Sequence, residues 1–131
     1  MEYEEKVWLE VAKTDLGVAK HLNQLYNPKP LEIICYHCQQ AAEKAVKAII
    51  IANGVQGGLP KKHNLSFLLE QVKNMVPIPE KYYDYADVLT PYGISARYPN
   101  ELYLEERHVT EAIRYAEEIL AWVEVVINSE E

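Results

Sequence analysis

Phenylalanine is almost missing from this chain: one Phe stands against ten Tyr in 131 residues. Cysteine is scarce as well, and both copies fall in Cys35-Tyr36-His37-Cys38. That spacing suits a redox or zinc motif, but a structural zinc site needs four ligands, for which no second Cys pair exists, and buried small hydrophobes are the expectation. The other histidines, His21, His63 and His108, are scattered without ligand spacing. No metal and no cofactor is expected. Strand-like alternation is lacking throughout, so a thioredoxin-like redox pair has no βαβ setting to occupy. Long apolar runs are lacking too, none approaching the ~20 residues of a membrane span. Met1-Glu2-Tyr3-Glu4-Glu5 carries nothing of a signal peptide, so a cytoplasmic location is the expectation. Positive charge is short as well: 13 Lys and Arg against 20 Asp and Glu leave a formal charge of −7. A general nucleic-acid coat protein would need a basic surface. The deficit still permits a local basic patch, and it suits a basic partner.

What the chain does have is a strong helical period. Its length and its 49% apolar content fit a single domain, residues 1–131, with a core of its own. The central stretch runs from Leu31 to Ala52 without Gly or Pro, and Pro30 stands where a helix can begin. Leu31, Ile34, Cys35, Cys38, Ala41, Ala42, Ala45, Ile49 and Ala52 fall on one stripe at helical spacing, with Tyr36, Gln40, Glu43 and Lys47 opposite. A stripe built mostly of Ala and Cys lets neighbouring helices approach closely. Ile50 and Ile51 are apolar on the side that should be wet, which predicts a cover from outside the helix's own bundle and adds to the case for a dimer.

Before this stretch, a helix is predicted from about Glu2 to Tyr26, with Asp15 lying inside its apolar stripe between Ala12 and Ala19. Such a carboxylate is either a satisfied shoulder residue or the mouth of a polar groove. Asn27-Pro28-Lys29-Pro30 then turns the chain back. After it, Gly54 reads as a helix C-cap, and the Gly-rich loop to Pro60 has neither P-loop nor dinucleotide spacing. A short helix from about Asn64 to Lys73, capped by Asn64 or Ser66, follows Lys61, Lys62 and His63, which form a solvated turn or a modest anion site. A helix from about Glu80 to Thr90 comes next. The segment from Pro91 to Asn100 is too broken to continue it, and a last helix spans about Glu105 to Ile127. Tyr82, Tyr83, Tyr85, Tyr92, Tyr98 and Tyr103 gather around Arg97, either as wet core and dimer contacts or as a stacking surface. The fold class is all-α, an antiparallel up-and-down bundle of four to five helices.

The residues from Tyr36 to Ala48, Tyr-His-Cys-Gln-Gln-Ala-Ala-Glu-Lys-Ala-Val-Lys-Ala, resemble the signature helix of the HEPN family. These are small all-helical domains named for higher eukaryotes and prokaryotes nucleotide-binding. Three further pieces keep the family's order: Trp8 with Ala12, Asp15, Leu16 and Ala19; Lys62-His63-Asn64-Leu65 leading into Leu68-Leu69; and Arg97-Tyr98-Pro99 before the last amphipathic helix. The resemblance spans nearly the whole chain. It implies a four- or five-helix bundle that commonly dimerises.

Many HEPN proteins resemble one another in being metal-independent ribonucleases. They use an Arg, four to six intervening residues and a His, completed across a dimer. The His would serve as acid or base and the Arg would steady phosphate charge. Here ten residues separate Arg97 from His108, Arg107 is adjacent to His108, and no His follows Arg114. The motif is absent, and an atypical site of Arg97 with His108 is the alternative reading. A second HEPN group resembles the helical substrate-binding half of small antibiotic nucleotidyltransferases, its members often made beside a minimal nucleotidyltransferase as a toxin–antitoxin-like pair. That resemblance implies a nucleotide- or partner-binding module rather than an enzyme, working as a homodimer with nucleotide or RNA as ligand and a nucleotidyltransferase as partner protein. His37, Gln40, Lys44, Lys47, Lys62, His63, Arg97 and Tyr98 are the candidate ligand-binding residues, supplying donors for a phosphate and a ring for a base. Glu43, Lys44 and Lys47 read equally well as a solvated helix face.

Overall fold

The computed structural model describes residues 4–25, 27–54, 64–95 and 103–129. They form five helices: α1 (Glu4–Leu25), α2 (Leu31–Ala52), α3 (Leu65–Val72), α4 (Lys81–Ser95) and α5 (Glu106–Ser129). No strand occurs among the described residues, so the all-α bundle stands. Side-chain pairs fix the directions. Lys13 meets Glu124 and Lys20 meets Glu117, so α1 and α5 run antiparallel. Tyr82 packs on Trp122 and Tyr85 on Tyr115, which makes α4 antiparallel to α5. The tight turn at 27–30 folds α2 back along α1, placing His37 and Lys44 against Asp15.

α2 is the axis of the bundle and packs against each of the other four helices. Its small residues Cys35, Cys38, Ala41, Ala42, Ala45 and Ala48 are wholly buried, so neighbouring backbones can come close on several sides. It starts directly after Pro30, whose carbonyl takes the Ile34 N–H, and ends at Asn53 with Gly54 at φ +62°. That φ is left-handed, and glycine adopts it without a Cβ penalty. α3 is short but buries Leu65, Leu68, Leu69 and Val72 completely. Each such side chain contributes roughly 1.5–3 kcal/mol. Asn64 caps it, its Oδ1 accepting the Phe67 N–H at 3.1 Å.

Two expectations change. Ile50 is 1% exposed within the chain itself, so its burial needs no partner. α4 does not stop at Thr90 but continues through Pro91 to Ser95. Proline removes one helical hydrogen bond, to the Asp87 carbonyl four residues back. Pro91 and Asp87 both lie on the exposed face, so water can satisfy that carbonyl. Burial of Leu89 and Tyr92 holds the helix on the core on either side of the break.

Cys35 and Cys38 are free thiols with no exposure. Burial pushes the Cys35 thiol up to about 12 and raises Cys38 further still. Thiolate, the reactive form, is therefore suppressed. Both cysteines should resist alkylation by iodoacetamide in the native protein at mildly alkaline pH and label fully in denaturant, as mass spectrometry would show.

Gly93 sits where α4 crosses α2. A Cβ there would lie 2.7 Å from Gln39 Cδ and Oε1 and 3.0 Å from Nε2. Gln39 is fully buried and hydrogen-bonded, so it cannot swing away freely. Gly93→Ala gains about 1 kcal/mol of helix propensity but meets an overpacking cost of about 1–3 kcal/mol. Thermal unfolding followed by circular dichroism should show a net lowering of Tm.

Candidate functional site

The polar residues of α2 fall into two groups. The first is a column inside the bundle. Gln39, Glu43 and Lys47, four residues apart, are 0%, 2% and 6% exposed. Gln40 Nε2 donates to Gln39 Oε1 at 2.7 Å, Gln39 Nε2 to Glu43 Oε1 at 3.1 Å, and Lys47 Nζ to Glu43 Oε2 at 3.0 Å. Lys47 Nζ also lies 5.8 Å from the Trp8 ring centroid, a cation–π contact that helps hold a desolvated ammonium. Glu43 and Lys47 are thus not a solvated face. The helix wheel places them opposite the Ala/Cys stripe, but α2 has neighbours on that side as well. Their charges compensate each other internally, as a buried pair must.

The second group is a shoulder where α1 and α2 meet near the surface. Asp15 Oδ1 lies 3.0 Å from His37 Nδ1, and Asp15 Oδ2 lies 2.7 Å from Lys44 Nζ. One carboxylate therefore holds an imidazole and an ammonium side by side. Asp15 is 14% exposed at its side chain, and His37 and Lys44 are each 26% exposed. A carboxylate only accepts, so His37 donates from Nδ1, and in the neutral ring Nε2 is left as the acceptor. Among the described residues Nε2 has no hydrogen-bond partner. The Tyr36 ring stands edge-on to the His37 ring at 5.5 Å. The arrangement offers a phosphate an oriented imidazole and the remaining N–H groups of an ammonium.

Of the candidate ligand-binding residues, His37 and Lys44 share this shoulder, and Gln40 donates to Gln39 of the buried column. Lys47 faces Glu43 inside. Lys62, His63, Arg97 and Tyr98 lie outside the described residues, as does Arg97 in the alternative Arg97–His108 pairing. His108 has a structural contact: its Nδ1 accepts the Glu105 N–H at 2.9 Å while its own N–H returns to Glu105 O at 3.0 Å. This is a reciprocal cap on α5 with His in the place usually taken by Glu or Gln. Two of the four tyrosines of α4, Tyr82 and Tyr85, are engaged with α5. Tyr85 stacks on Tyr115 at 3.8 Å and donates to Glu118, Tyr82 is 7% exposed, and burial pushes the Tyr92 phenol up to about 12. Tyr103 is 93% exposed. Among the described residues no group of three or more His, Cys, Asp or Glu is placed to hold a metal ion. Likewise no helix there is long and apolar enough to cross a membrane.

Asp15 is the residue whose part in the site the sequence only hinted at, through a carboxylate inside an apolar stripe. Gln39 gave no signal, since an uncharged side chain on a helix can face either way. The cap at His108 yields a direct test: His108→Ala should cost about 0.5–1 kcal/mol in chemical denaturation, and His108→Gln should recover most of it.

The HEPN domain family matches residues 5–126. Among solved structures the chain is similar to TT1696 from Thermus thermophilus, with 30% identity and a TM-score of 0.79 over 95% of this chain and 98% of that one. It is also similar to ST0689, described as an archaeal HEPN homologue, with 28% identity and a TM-score of 0.72 over 94% and 97% of the two chains. A HEPN domain protein of Thermotoga maritima, TM0613, gives 26% identity and a TM-score of 0.73 over 92% and 97%. No curated protein matches. A helical bundle of this topology, matched to the family over residues 5–126, places the chain in the HEPN domain family.

Proposed function

We propose that this HEPN domain is a binding module for a phosphate-bearing ligand, a nucleotide in the first instance. It would work as a cytoplasmic homodimer beside a minimal nucleotidyltransferase in a toxin–antitoxin-like pair. The observation that carries the binding reading is the shoulder. Asp15 fixes the His37 ring through Nδ1 and anchors one N–H of Lys44, so two donor-bearing side chains stand together, part-exposed and pre-oriented. Pre-orientation lowers the entropy cost of binding. A phosphate oxygen would accept from the remaining N–H groups of Lys44 and, when the ring is protonated, from His37 Nε2. Tyr36, beside His37, supplies an aromatic ring within the same patch. The partner protein and the paired-system role rest on the resemblance to HEPN proteins of the nucleotidyltransferase-associated group.

The test is titration of the purified protein with ATP by calorimetry, beside Lys44→Ala and Asp15→Ala variants. The expected result is binding by wild type, weakened about tenfold or more in Lys44→Ala, the loss of one charge-assisted contact being worth ~1.5–3 kcal/mol. Labelled RNA incubated in EDTA provides the opposing arm. Cleavage by wild type but not by an Arg97→Ala/His108→Ala double variant would replace the binding reading with an atypical ribonuclease. Absence of both binding and cleavage would also overturn it.

A further inference from the structure

Three histidines lie among the described residues, and each is in a different state. His21 is exposed on α1 and has no hydrogen-bond partner among those residues. His108 commits its Nδ1 lone pair to the Glu105 N–H, so in the neutral ring its proton sits on Nε2. His37 is the reverse. Its Nδ1–H is held by the Asp15 carboxylate at 3.0 Å, which leaves the lone pair on Nε2. The His37 side chain is 26% exposed, and its Nε2 carries no hydrogen bond among the described residues.

A carboxylate behind an imidazole does two things. It fixes the tautomer in which Nε2 is the nucleophile, and it faces the positive charge that the ring acquires when Nε2 forms a bond. Lys44 sits on the other oxygen of the same carboxylate at 2.7 Å, so an anionic group arriving at the ring meets an ammonium as well. Proton transfer alone does not call for an ammonium beside the ring. Anion binding alone does not call for a ring held in one tautomer. Both are called for where the imidazole itself takes up a phosphoryl group.

We propose that His37 Nε2 is a phosphoryl acceptor, modified by a phosphoramidate donor, a class that includes a phosphohistidine on another protein. The Nε2 lone pair attacks phosphorus, and the P–N bond of the donor breaks. The donor nitrogen is already protonated, takes the electron pair of that bond and leaves as a neutral amine. The new Nε2–P bond makes the ring cationic while Nδ1–H stays donated to Asp15, so no proton has to leave His37. Lys44 faces the charge on the phosphoryl oxygens, the kind of stabilisation on which phosphoryl transfer chiefly relies. Asp15 touches neither the phosphorus nor the donor. It acts through the ring, as a positioning residue. The proposal goes beyond the binding reading, since it uses the same shoulder but needs no nucleotide.

The test is incubation of the full chain with potassium phosphoramidate at neutral pH. Labelling is followed by phosphorus NMR and by mass spectrometry of peptides kept alkaline, because the P–N bond is labile to acid. The expected product is one phosphoryl group on His37, bonded through Nε2, formed about tenfold or more faster than any on the exposed His21. His37→Gln should remove it. Asp15→Asn should slow the labelling by about tenfold or more and let part of the product form at Nδ1, since the tautomer is no longer fixed. That change of bonded nitrogen is one that a merely structural aspartate would not cause. No product at His37, equal rates at His21 and His37, or attachment through Nδ1 in the wild type would each overturn the proposal. These three readings are taken on the wild type, so they hold even if Asp15→Asn fails to fold. Wild type that binds ATP but takes no phosphoryl group keeps the binding reading and loses this one. Wild type that is labelled without binding ATP does the opposite.

Discussion

Enclosure of α2 is the constraint on which the rest of the structure depends. A helix touched by four others has no fully wet side, so every polar side chain it carries must find a partner within the fold or reach a shoulder where the neighbours part. Gln39, Glu43 and Lys47 take the first course and His37 and Lys44 the second. The buried Ala and Cys residues of α2 permit this enclosure, and where α1 lies against α2 Asp15 reaches across to His37 and Lys44. The site therefore follows from the packing of the central helix.

Much of this was legible in the sequence. The limits of α2 came through to the residue because Pro30 and Gly54 act locally, through a missing donor and a left-handed φ. The stripe of α5 and the cap at Asn64 are equally local. The depth of α2 was not legible. A helical wheel reports which residues share a face, but not how many faces are covered, so Glu43 and Lys47 read as wet and Ile50 read as a mark of a partner. Pro91 misled for a related reason. Its local preference is to end a helix, and burial of Leu89 and Tyr92 on either side outweighs that preference at an exposed position.

The candidate site was half legible. His37, Gln40 and Lys44 share a shoulder of the wheel, and Asp15 stood out as a carboxylate in an apolar stripe, yet nothing in the pattern paired them. Pairing requires the register between two helices, which the turn at 27–30 sets. His108 shows the converse. A histidine near the start of a helix can cap it, and here Nδ1 of His108 accepts the Glu105 N–H.

The approach of Gly93 to Gln39 links two parts of the chain that are far apart in sequence. Glycine at 93 leaves the space in which Gln39 can lie flat, accept from Gln40 and donate to Glu43. A β-carbon at 93 favours a shorter residue at 39, and a shorter residue at 39 breaks the hydrogen-bonded path from Gln40 to the buried carboxylate of Glu43. The two positions are thus bound to change together or not at all. In relatives of this fold, a bulky residue at 93 would be the visible mark of a bundle that has given up its internal polar column.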